Sequence, residues 1–127
     1  MRCRVNILLS KWTIYSKALV SKGELPPAVA PSISVLPNGV EFTWQMPQDM
    51  DYRYRNNRAM LLLYFPQGVD ASGVPHAVWE LSGARRSDGL DFIALDTNEQ
   101  GKSFEAYISF ISDDRFNVSD SMWVTTE

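Results

Sequence analysis

Apolar and polar residues alternate with a period of two along much of this chain. In Ser32-Ile33-Ser34-Val35-Leu36 the apolar positions Ile33 and Val35 share one side. In Val40-Glu41-Phe42-Thr43-Trp44-Gln45, Val40, Phe42 and Trp44 share a side, with Glu41, Thr43 and Gln45 opposite. A period of two puts successive side chains on opposite faces of an extended strand. The runs are joined by Pro37-Asn38-Gly39. Asn and Gly tolerate the positive φ of tight primed turns, so the segment predicts a β-hairpin of that type.

Further runs read the same way. Ala59-Met60-Leu61-Leu62-Leu63-Tyr64-Phe65 is continuously apolar and is closed by Pro66; its length suits a buried strand better than a helix. His76–Leu81 reads as a strand stopped near Gly83, and Leu90–Leu95 as one with Phe92 and Ala94 on one face and Ile93 and Leu95 on the other. Phe104–Ser112 and Asn117–Thr125 are the closing strands. Between Leu25 and Pro31 the prolines 26, 27 and 31 predict an extended connector or a broken edge strand, because proline has no N–H for a ladder. Gln48–Arg58 reads as a long polar loop. The tally is about seven strands without a long helix, which predicts an all-β sandwich or barrel. Residues 1–14 form an N-terminal arm ahead of a sandwich domain at 15–127, with Tyr15–Val20 strand-compatible.

Composition narrows the function classes. The chain has 127 residues, 45% of them hydrophobic and 12% aromatic, which fits one folded domain rather than a disordered chain. A net charge of −3 gives no basic footprint for a nucleic acid, so none is expected as partner. No stretch reaches the length of a membrane span. The Met1–Ser10 patch is too short and too interrupted for a cleaved leader, so the compartment is cytoplasmic by default. The lone Cys3 excludes an intramolecular disulfide.

The order of the hairpin with Trp44, an apolar strand, two middle strands, and a Tyr107-bearing strand before the last is similar to fibronectin type III and related immunoglobulin-like sandwiches. Four segments carry a closer resemblance: Tyr15–Gly23, Ala59–Tyr64, Leu81–Ser87 and Tyr107–Ser112. They look like the C-terminal half of an uncharacterised protein family common in Bacteroidetes. The resemblance implies a fold and a lineage, with residues 1–11 a remnant of a missing N-terminal region or an alternative start. It implies no activity.

Candidate chemistry is sparse. One histidine, His76, and one cysteine leave little for triads or zinc sites, and no enzyme, cofactor or metal is expected. Aspartates 49, 51, 88, 91, 113 and 114 fall in turn-like segments, where Asp caps its own backbone. Asp113-Asp114 lacks the alternating oxygen ligands of a calcium loop. Tyr52, Arg53, Tyr54, Arg55 and Arg58 are candidates for binding a glycan or an anionic polymer, through guanidinium forks and ring stacking. Alternatively they are a solvated loop paired with its own aspartates. The two-sided apolar runs predict that the sheet carrying Met60–Phe65 and Phe104–Ile111 has an apolar outer face, with Leu62, Tyr64, Ile108 and Phe110 as an interface. Its cover is the missing N-terminal region, the first 14 residues with Trp12, or a protein partner including a second copy. The function expected is a non-enzymatic structural or protein-interaction module, with ligand binding through residues 52–58 as the alternative.

Overall fold

A computed structural model describes residues 23–125. These residues form an all-β sandwich of seven strands in two antiparallel sheets. Strand β1 (Val29–Leu36) pairs with β2 (Gly39–Gln45), which pairs with β5 (Leu90–Ala94). The second sheet runs β4 (His76–Glu80), β3 (Arg58–Phe65), β6 (Glu105–Ile111), β7 (Met122–Val124). The expected all-β architecture and strand count are therefore observed. Leu81, Leu95, Phe104 and the stretch 117–121 lie outside the strands.

The core lies between the sheets. From β2 it takes Val40, Phe42 and Trp44; from β3, Ala59, Leu61, Leu63 and Phe65; from β6, Ala106, Ile108 and Phe110. Removing one such large side chain from water contributes about 1.5–3 kcal/mol. Trp44 meets Phe110 edge-on, with ring centroids 5.4 Å apart. Its Nε1–H donates to the Arg86 carbonyl at 2.8 Å, so the indole is buried with its polar atom satisfied.

The hairpin is present, but its turn is not of the primed type. Leu36 pairs with Gly39 across Pro37-Asn38, and neither Asn38 nor Gly39 has positive φ. Proline fixes a negative φ at the first turn position, which excludes a primed turn there. Gly39 serves close approach instead: a Cβ on it would lie 2.3 Å from the Ile93 carbonyl oxygen and 2.3 Å from the Phe92 ring.

The proline-rich connector resolves into a broken edge strand. Register shifts between Val29 and Ser32, where Ala30 takes φ 48° just before Pro31. The missing proline N–H and the bulge fall on the outer strand of the sheet, where they interrupt no central ladder. The Gln48–Arg58 loop contains a single helical turn, α1 (Tyr52–Arg55), and Arg58 opens β3 rather than closing the loop.

Arg86, in a 3-10 turn at Arg86–Asp88, is 2% exposed and closes one end of the sandwich. Its Nε donates to the Tyr54 carbonyl at 3.0 Å, and its two terminal nitrogens to the carbonyls of Pro27 at 3.3 Å and Pro26 at 2.8 Å. A further bond reaches Asn57 Oδ1 at 2.9 Å, and the guanidinium lies 3.9 Å from the Phe110 ring centroid. Burial pushes its pKa down to about 10, against a smaller opposing effect of Tyr54, so it stays charged at neutral pH.

Candidate functional site

The outer face of the four-stranded sheet follows from strand register. Leu61, Leu63 and Ile108 point into the core, so their neighbours in sequence point out. Leu62 pairs with Trp79 on one side and Tyr107 on the other, and Tyr107 pairs with Trp123. A row Trp79–Leu62–Tyr107–Trp123 therefore crosses all four strands on one face. Tyr64 and Met60 flank Leu62 along β3, and Ser109 and Ile111 continue the face along β6.

Exposure along that row is uneven. Leu62 is 4% exposed and Tyr107 1%, while the end members Trp79 and Trp123 are 47% and 37% exposed. The Trp123 indole N–H donates to Glu105 Oε1 at 2.8 Å, which orients that ring at the margin. Met60 and Ile111 pack with Val118 at one end of the face. Leu62, Tyr64 and Tyr107 are buried, yet they belong to neither apolar cluster formed by the described residues.

The expected interface divides. Leu62 and Tyr64 lie on the outer face. Ile108 and Phe110 do not: both are 0% exposed in the inter-sheet core. Both faces of these strands are apolar, so alternation alone does not say which set points inward; pairing of Leu61 with Ile108 and Ala59 with Phe110 does. Tyr107, between the inward-facing Ala106 and Ile108, points outward.

Residues 52–58 are tied to their own surroundings. Asp51 caps α1 by accepting from the Arg53 N–H at 2.9 Å, and its carboxylate lies 3.0 Å from the Arg53 guanidinium. That side-chain hydrogen bond is the main reason the Asp51 carboxyl sits below its ordinary value. Arg53 also lies 5.3 Å from the Tyr54 ring centroid. Arg55 donates to the carbonyls of Met50 at 3.1 Å and Gln48 at 2.5 Å. Arg58 donates to the Gly83 carbonyl at 3.1 Å and lies 3.9 Å from Asp113, which also takes Arg85 at 3.3 Å. Tyr52 stands 78% exposed. The arrangement is a polar knob braced from within, with Tyr52 as its free aromatic surface.

Other aspartates and His76 make local contacts. Asp51, Asp70 and Asp114 accept backbone N–H groups two residues ahead. Asp91 accepts from the Ala84 N–H at 2.8 Å, and Asp88 from the Arg85 N–H at 3.0 Å. His76, at the start of edge strand β4, has Nε2 2.7 Å from Glu99 Oε2 and leans on Phe65 with centroids 5.7 Å apart. Nothing in the sequence marked Arg86 as a buried anchor. Three of its four partners are backbone carbonyl oxygens, which leave no mark in a sequence. Cys3, Trp12 and the Tyr15–Val20 segment lie outside the described residues.

No helix among the described residues is long and apolar enough to cross a membrane. No curated protein and no solved structure matches the chain. A family model does match, over residues 9–125, and so spans both sheets and the Trp79–Trp123 row. The chain belongs to this family, a family of unknown function (DUF6266).

Proposed function

We propose that the protein is a non-enzymatic β-sandwich module with a structural or protein-binding role, and that the outer face of its four-stranded sheet is a seat for a polypeptide segment. One observation carries this reading: the middle of the Trp79–Leu62–Tyr107–Trp123 row is 1–4% exposed while its tryptophan ends are 37–47% exposed. A bare sheet face exposes its middle strands as well as its margins. Here the middle is dry and the aromatic margins are wet, as expected when a polypeptide segment lies along the middle of the face. The sheet orders β1-β2-β5 and β4-β3-β6-β7 support the fibronectin type III-like version of the fold. The Bacteroidetes lineage rests on the segment resemblance alone.

Leu62→Asp in the full chain tests the reading. A carboxylate in the dry middle of the seat expels the occupant while the inter-sheet core stays folded, at a cost of about 3–5 kcal/mol. The expected outcome is a thermal midpoint lowered by about 10 °C, with new binding of an apolar dye or a changed mass by light scattering. Unchanged midpoint, dye binding and mass would end it.

A further inference from the structure

The occupant of that seat is a separate question, and four observations point to one answer. First, the described chain starts at the seat. Gly23 lies so close to Val118 that a Cβ on it would stand 2.0 Å from the Val118 carbonyl oxygen and 2.7 Å from its Cγ2. Val118 is the residue that packs on Met60 and Ile111 at the end of the outer face. The Gly23 N–H donates to Asp120 at 3.0 Å, and Leu25 bridges to Ser119. Gly23, where the described residues begin, thus sits at the mouth of the trough.

Second, the preceding segment is long enough. Its 22 residues reach up to about 70 Å when extended, whereas the outer strands of a four-stranded sheet are about 14 Å apart. Third, its chemistry matches. It brings Ile7, Leu9, Trp12, Ile14 and Leu19 to an apolar floor. It also carries Arg2, Arg4, Lys11, Lys17 and Lys22 without one Asp or Glu, so the other 105 residues hold seven cations against all fifteen carboxylates. Glu105 on the seat and Asp120 at its mouth are acidic neighbours for such a segment. Fourth, the family match begins at residue 9, so residues 9–22 of the segment fall within the stretch the family shares with both sheets.

We infer that residues 1–22 of this same chain are the occupant, lying over Leu62, Tyr64 and Tyr107 between the two rim tryptophans. This rests on the reading of the outer face as a polypeptide seat. It makes the segment a strap that completes the core on the sheet's far side, held by apolar contact and by opposite charge.

Photo-crosslinking in the full purified chain tests it without disturbing the fold. p-Benzoylphenylalanine replaces Trp79 in one variant and Trp123 in another, both exposed rim positions. The same probe at Leu90, 46% exposed on the other sheet, sets the background. Peptide mapping is expected to join each rim position to residues 1–22 of its own chain, at least fivefold above that background. The yield should not change over a tenfold dilution. Crosslinks to a second copy, fading on dilution, would overturn the strap while leaving the seat. Products confined to residues 23–127 would overturn both.

Discussion

Arg86 brings a positive charge into the interior and satisfies it with carbonyl oxygens of Pro26, Pro27, Tyr54 and Asn57. The planar fork reaches several acceptors at once and stacks on Phe110, which a lysine ammonium cannot do. Arg86→Met leaves those acceptors dry and unpaired and is expected to cost about 3–5 kcal/mol in denaturant unfolding. Arg86→Lys should recover little of it; full recovery would show that charge alone suffices. At the surface, Asp114 is held below its ordinary carboxylate value chiefly by the Ser112 hydroxyl, then by the Phe116 N–H. A lowered folded pKa stabilises the turn above the ordinary value of 3.8, and that contribution is lost as pH falls through the folded value. Ser112→Ala is therefore expected to raise the Asp114 pKa towards 3.8, read by carboxyl-carbon NMR titration; an unmoved titration would remove the hydroxyl as the cause. None of this was legible beforehand except that turn aspartates cap their own backbone.

At the scale of elements, legibility depended on contrast. Strand β2 alternates Val40, Phe42 and Trp44 with Glu41 and Thr43, so its buried face could be read directly and is the one observed. Strands β3 and β6 lack that contrast, and Ile108 and Phe110 fell on the wrong side of the sheet as a result. The candidate site was half legible for the same reason: an apolar outer face was predictable, while the Trp79–Leu62–Tyr107–Trp123 row exists only through pairing of four separate strands. The hairpin was legible too, but the role of Gly39 was not, because it depends on β5 rather than on the turn. Gly39→Ala forces a methyl into the Ile93 carbonyl and the Phe92 ring. It is expected to cost about 1–3 kcal/mol in thermal or denaturant unfolding. A neutral result would show that β5 can move aside.

For the whole molecule, the two faces of the four-stranded sheet set different demands. Phe110→Asp puts a charge between the sheets and is expected to abolish the folded state, with loss of dispersed NMR signals. Leu62→Asp should leave most of that dispersion, since the sheet-to-sheet core keeps its own residues. The sandwich also has margins. Among the described residues β1 is an outer strand; its outer edge is interrupted by Ala30 and Pro31, and farther along the Ile33 N–H donates to the Thr125 carbonyl beyond β7, at 3.3 Å. A neighbouring molecule arriving at that margin finds a bent, partly occupied rail instead of a regular row of donors and acceptors. A chain so rich in apolar strand thus carries, at that margin, its own brake on fibre growth.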